Sequence, residues 1–245
     1  MKKNLFYLLF IFFLNVQLAD AQHALEEGII LRFGIASNIG NFGKVDHSAH
    51  TYSGYNTISH KGNGFGFSFD FGKQWAFHGL SLPDDMDIGL DVSFIEVNLA
   101  MSHHNSFYST DESYYYDDEY YSESVDFNMY HLYFGPKVGP MFSYSLARSM
   151  SIDASFKAQL IFSGAFAAYD MQYDGYSYTE NIRTIGLGLR FSPSVYYRYR
   201  KLIAGFEFNI GNTNIANSVT FSAIDGEGNE PLPLSNVKFI LGLKL

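Results

Sequence analysis

The sequence contains no cysteine, which rules out a disulfide framework and the thiol attachment of a lipoprotein. Proline is scarce, at 6 residues, and charged side chains make up only 17% of the chain, against roughly 25% in soluble globular proteins. Long apolar runs are missing after the first fifteen residues, so no internal segment has the roughly 20 apolar residues that a membrane-crossing helix takes. Basic charge is in deficit as well: 16 Lys and Arg stand against 25 Asp and Glu, for a formal charge of −9. That balance lacks the basic footprint of a nucleic-acid-binding protein, and no nucleic-acid partner is expected.

What is abundant is 24 Phe, 19 Tyr and 22 Gly. Aromatics and glycine without apolar helices are what a β-barrel surrounded by lipid shows. The chain opens with Lys2 and Lys3, then Leu5-Phe6-Tyr7-Leu8-Leu9-Phe10-Ile11-Phe12-Phe13-Leu14, then Ala19-Asp20-Ala21. A charged start, a short apolar stretch and a small-residue site predict a secretory signal over 1–21, cut after Ala21. Residues 22–245 then form one domain. Removing Lys2, Lys3 and Asp20 with the signal leaves a formal charge of −10.

Period-two alternation recurs from Ile29 to Leu245 and predicts eight strands. The first sets Ile29, Leu31, Phe33 and Ile35 against Ile30, Arg32, Gly34 and Ala36. The second sets Phe65, Phe67, Phe69 and Phe71 against Gly66, Ser68, Asp70 and Gly72. The third carries Ile88, Leu90, Val92 and Phe94, then switches phase to Ile95, Val97 and Leu99, as a β-bulge would make it do. The fourth runs from about Ser124 to Leu146 with Pro136 and Pro140 inside it, and a phase change is expected near Met129-Tyr130. Strands five to eight carry their apolar residues at Ile152–Phe162, Ile185–Phe191, Leu202–Ile210 and Val237–Leu245.

The connections 39–62, 101–123, 164–180 and 212–234 read as long polar loops, and those near 78–85, 147–150 and 198–201 as short turns. Strict alternation of long and short is the pattern of outer-membrane barrels. Side-chain volume orients the faces. Phe, Leu, Ile and Val on every strand are too bulky for the narrow inside of an eight-stranded barrel, so they point outward, and an apolar exterior of that extent needs lipid. Trp75, Phe77, Tyr144, Tyr196, Tyr197 and Tyr199 fall on the short-turn side, where an interfacial aromatic girdle is expected. The expected fold is all-β: an eight-stranded antiparallel up-and-down transmembrane β-barrel.

Those Gly-alternating strands and the ending Asn236-Val237-Lys238-Phe239-Ile240-Leu241-Gly242-Leu243-Lys244-Leu245 resemble the small outer-membrane β-barrel superfamily of the OmpX and OmpA membrane-domain type. They are similar in particular to the outer membrane protein β-barrel domain sequences common in Bacteroidetes. The chain departs from the pattern in ending on Leu245, where such sequences commonly end on an aromatic residue. The resemblance implies export to the bacterial outer membrane, with outer-membrane lipid and lipopolysaccharide as surroundings.

Three sets of residues are candidates for function. The inward face is expected to hold Arg32, Asp70, Asp91, Glu96, Lys137, Asp153, Lys157, Arg190, Glu207 and Lys238, five of each sign. Charges in a narrow interior are costly unless paired, so a balanced network plugging the barrel is expected; a polar conduit for protons or small ions is the alternative. The tip of 101–123 carries Asp111, Glu112, Tyr114, Tyr115, Tyr116, Asp117, Asp118, Glu119, Tyr120 and Tyr121. Its carboxylates and phenols suit cations or a protein surface. Its flanking strands exceed the roughly 9–11 residues that span a bilayer, so they project as a sheet whose edge can accept a partner's strand.

Histidines form the third set: His47, His50, His60, His103 and His104, without strict metal-ligand spacing, so no metal or cofactor is expected. Some barrels of the resembling superfamily modify lipid A with His, Ser and acidic residues. Ser102, His103, His104 and Ser106, or Asp46-His47-Ser48, are the residues here that such an activity would use. The expected role is non-enzymatic: a structural barrel acting through its outer loops. The alternatives are a lipid A-modifying enzyme and an accessory component of a secretion or transport complex. A general diffusion pore fits least, because eight strands leave little room for water.

Overall fold

The computed structural model describes residues 27–44, 47–51, 54–60, 64–77, 80, 82–110, 121–147, 149–173, 176–221, 226–228 and 231–245. The expected signal, 1–21, lies outside them. No helix occurs among the described residues, and the strands are β1 (Gly28–Asn38), β2 (His47–Thr51), β3 (Gly54–His60), β4 (Phe65–Ala76), β5 (Met86–Thr110), β6 (Tyr121–Ala147), β7 (Met150–Tyr173), β8 (Tyr176–Tyr199), β9 (Leu202–Phe221), β10 (Gly226–Gly228), β11 (Leu232–Pro233) and β12 (Asn236–Lys244).

Eight of these close a ring. The pairing order β5-β4-β1-β12-β9-β8-β7-β6 returns to β5, with every ladder antiparallel. β1 and β12 meet with Ile30 opposite Lys244, so the start of β1 and the end of β12 fall on the side of the short turns. β2 and β3 form a hairpin on the outer part of β5, and β10 and β11 pair with β9. Closure leaves no unpaired edge in the ring itself, which is how an antiparallel sheet avoids strand-to-strand aggregation.

Alternation places the side chains as volume requires. Phe33, Ile35, Phe67, Phe156, Ile185, Phe206 and Leu241 point out, with Ile185 as much as 71% exposed, and Arg32, Asp70, Glu96, Lys157, Arg190 and Lys238 point in and are buried. The bulge in β5 is where the phase switch puts it. Phe94 and Ile95 are both exposed, and the ladders to β4 and β6 shift register beside them.

The strands flanking 101–123 project as expected, whereas 164–180 and 212–234 differ from the expectation of polar loops. β5 continues to Thr110, β6 starts at Tyr121, β7 and β8 pair out to Tyr173 opposite Tyr176, and β9 extends to Phe221. Most of 101–123, 164–180 and 212–234 is therefore β-ladder that extends past the ring. Polar residues on both faces of such an extension hide its strand character from a pattern reading.

β6 also departs from expectation, because it has no phase change. Phe127, Met129, His131, Tyr133, Lys137, Met141 and Ser143 all face inward in one unbroken alternation. The apolar pattern alters near Met129 because the filling of the barrel alters there. Pro136 and Pro140 face outward, and the β6–β7 ladder skips both, as expected of residues without an N–H.

Candidate functional site: the filled interior

The inward side chains of β6 mark successive layers. At the short-turn end, Ser143 and Ser151 donate to Oδ1 of Asp153 (2.6 and 3.1 Å), and Arg198 Nη2 lies 3.1 Å from the same oxygen. Asp153 thus belongs to a separate pair with Arg198, a residue the pattern reading passed over. Arg198 sits in Tyr196-Tyr197-Arg198-Tyr199-Arg200, where bulky residues on both faces mask the alternation. Tyr196 needs correction for the same reason: it is buried in the interior, donating to Glu207 Oε2 (3.1 Å), and is no part of an aromatic girdle. Phe77, Tyr144 and Tyr197 at that end are exposed, and Trp75 and Tyr199 half-buried.

Around Lys137, the other nine predicted interior charges join into one network. Arg32 clasps Asp91 with two guanidinium nitrogens (2.8 and 2.6 Å) and lies 3.3 Å from Asp70. Lys137 Nζ reaches Asp70 (3.1 Å), Glu96 (3.2 Å) and Glu207 (2.9 Å). Lys157 joins Asp91 (3.4 Å) to Glu207 (3.3 Å), and Lys238 contacts both Glu96 and Glu207. Arg190 completes the set at Glu96 (3.1 Å) and donates twice to Gln159 Oε1. All eight strands of the ring contribute to one cluster, in which Lys238 and Glu96 are 142 residues apart in sequence. Charges so buried persist only through pairing of this density, because breaking one pair leaves the other charge unsolvated.

Next comes a neutral polar layer. Asn236 donates to Tyr133 Oη (2.6 Å) and accepts from Asn209 (2.9 Å), whose carbonyl accepts from Ser192 (2.6 Å). Then Ser102 Oγ lies 2.7 Å from Nε2 of His131 and 2.8 Å from Nε2 of His104, all three buried. The turn after β1 folds down over them. Phe42 is fully buried, its ring edge-on to His131 with centroids 5.2 Å apart, and Gly43 N donates to Pro233 O (2.7 Å). Gly43 has φ of 70°, and a Cβ there would come within 2.6 Å of Ser102 Oγ and 2.7 Å of the His131 ring. Only glycine allows both that backbone and that approach.

Above the turn the filling becomes apolar. Ile58, Ala100, Phe127, Met129, Ala167, Tyr169, Ile182, Leu232 and Leu234 pack together, and His104, Phe127 and Tyr169 stack in series (5.4 and 4.4 Å between centroids). From charge network to apolar cap, buried side chains line the interior in successive layers.

Of the serine and histidine candidates, Ser102, His104 and Ser106 face in and are buried, while His103 is half-buried on the opposite face. The chain does not bring the four together. His131, missed because it falls in the misread part of β6, lies beside Ser102, where His103 does not reach. Asp46 lies outside the described residues; His47, His50 and His60 are in β2 and β3. Asp111, Glu112, Tyr114, Tyr115, Tyr116, Asp117, Asp118, Glu119 and Tyr120 also lie outside them, and Tyr121 opens β6. Among the described residues no group of three or more His, Asp or Glu is placed to hold a metal ion. No protein-family model matches the chain, and no curated protein matches it.

Proposed function

We propose that this chain is an exported outer-membrane β-barrel of the small OmpX-like kind, with a structural interior, whose sheet extension contacts another macromolecule at the cell surface. One observation carries this reading: a closed ring turns large apolar side chains outward on all eight strands while its charges are buried and paired inside. In water such an exterior would be unfavourable by about 25 cal/mol per Å² of apolar surface, and lipid removes that cost.

The contact role is supported by the sheet beyond the ring. Among the described residues, β6 pairs with β7 from Tyr130–Phe166 toward the short turns; further out, the backbone of β6 pairs with β5 alone and that of β7 with β8 alone. Strand edges of that kind accept an extended segment of a partner. The acidic, tyrosine-rich run from Asp111 to Tyr121 fits a cationic protein surface. A lipid A-modifying activity would need Ser102 and its histidines within reach of lipid, and these lie under Phe42 and Gly43.

Two measurements test the proposal separately. Membrane fractions run unheated and boiled in SDS should show a band that shifts on boiling; a protein soluble in the periplasm with no shift would overturn the location. Crosslinking on intact cells should capture a surface partner with the full chain and lose it on deletion of 111–120. Unchanged capture would overturn the role of that hairpin.

A further inference from the structure

The interior charge does not balance. Arg32, Lys137, Lys157, Arg190 and Lys238 form one connected set with Asp70, Asp91, Glu96 and Glu207. That is five cations against four carboxylates, each at most 3% exposed. Arg198 and Asp153 neutralise one another in their own layer. A surplus charge sealed from water is among the costliest things a protein interior can contain, so something must offset it.

Unused donors mark where. Nη1 of Arg190 and both side-chain polar atoms of Asn98, the donor Nδ2 and the acceptor Oδ1, have no hydrogen-bond partner among the described residues, although both residues are buried. Buried donors are otherwise nearly always satisfied. The two belong to one neighbourhood. The Arg190 guanidinium lies 4.9 Å over the Tyr133 ring, and its Nη2 donates to Glu96 (3.1 Å). Asn98 is directly opposite Tyr133 in the β5–β6 ladder and follows Glu96 by two residues on the same inward face.

We propose that the barrel interior binds a single small monovalent inorganic anion of the halide class, held by Arg190 Nη1 and the Asn98 amide and balancing the fifth cation. The chemistry selects the class. One negative charge restores neutrality, whereas a divalent oxyanion would overshoot beside the Glu96 carboxylate. Two N–H donors without a further cation suit an ion that is weakly hydrated and needs few contacts. The ion is enclosed as the barrel closes, since Phe42 and the apolar cluster above it cover that end.

The test uses the full mature chain, folded in detergent with radioactive chloride and desalted into chloride-free buffer. About one chloride per folded chain is expected to remain and to be released on boiling. At constant ionic strength, replacing chloride by gluconate should lower the thermal unfolding midpoint, and bromide should restore it. Asn98→Asp sets a carboxylate where the amide was; that variant should fold without any anion dependence and retain no chloride. A wild-type chain showing neither retention nor anion dependence overturns the proposal and leaves loss of a lysine proton as the way the charge is relieved. An Asn98→Asp chain retaining as much chloride as wild type overturns the site.

Discussion

Phe127 on β6 and Tyr169 on β7 stack face to face, ring centroids 4.4 Å apart and planes 14° from parallel, at a height where their strands share no ladder pair. The last such pair is Tyr130–Phe166. Counting three residues onward along each strand arrives at Phe127 and Tyr169, so the register persists after the backbone pairing ends. Side chains take over from hydrogen bonds, with the Tyr169 hydroxyl also donating to Ser106 Oγ (3.3 Å). Above the ring the two sheets are held together by their shared filling.

Truncating that contact should loosen the extension and spare the ring. An aromatic pair contributes about 0.5–1.5 kcal/mol beyond its buried area, so Tyr169→Ala should raise amide exchange roughly tenfold or more over 121–129 and 167–173, tenfold being about 1.4 kcal/mol. The boiling-dependent gel shift should remain. Exchange unchanged in those two stretches would mean that the rings do not join the sheets.

Gly135-Pro136 and Gly139-Pro140 make β6 sensitive to a single methyl. A Cβ on Gly135 would meet the Leu160 carbonyl oxygen at 1.8 Å, and one on Gly139 the Phe156 oxygen at 1.9 Å. Both obstacles are backbone on β7, which cannot swing aside. Gly135→Ala and Gly139→Ala should each destabilise by at least the ~1–3 kcal/mol of an overpacked interior. Gly164→Ala is the control, since its nearest neighbour is the Thr184 oxygen at 3.7 Å. Urea midpoints that fall equally for all three would discard the close-approach account.

Glu207 touches Lys137, Lys157 and Lys238 and accepts from Tyr196. Glu207→Gln leaves those ammonium groups short of a counter-charge, and breaking a buried pair typically costs about 3–5 kcal/mol. Asp126→Asn, on an exposed residue that accepts from Asn105, should stay within about 0.5 kcal/mol of wild type. The readout is the unfolding free energy in urea; similar values for the two variants would show that the interior network is not stabilising.

The ring was legible because period-two alternation of Phe and Leu against Gly, Ser and charge has one geometric meaning in a closed barrel. The bulge at Phe94-Ile95 was legible for the same reason, as a phase switch within an otherwise regular run. Alternation fails where both faces are alike. Val125, Phe127 and Met129 are apolar because they face the filling above the ring, and a hydrophobicity pattern cannot tell that surface from one facing lipid. The outer parts of β5 to β9 carry polar residues on both faces, so they resemble loops. Arg198, Tyr196 and His131 escaped because bulky or polar neighbours on either side hid which way they point.

Phe69 gives the sharpest test of what surrounds the ring. Its ring lies 5.1 Å from that of Phe33 on the outward face, well inside β4, and it is 38% exposed. In water, Phe69→Arg puts a charge on an already accessible position and should change stability by about 0.5 kcal/mol or less. In lipid, an arginine near the midplane of a barrel's outer face costs about 2–4 kcal/mol. Folding of the variant into phospholipid vesicles, followed as the fraction of the unheated gel band across urea, separates the two. A fall of the larger size supports the lipid-facing belt. A variant that folds as well as wild type would place the belt in water or against another protein, and the membrane proposal would have to be given up.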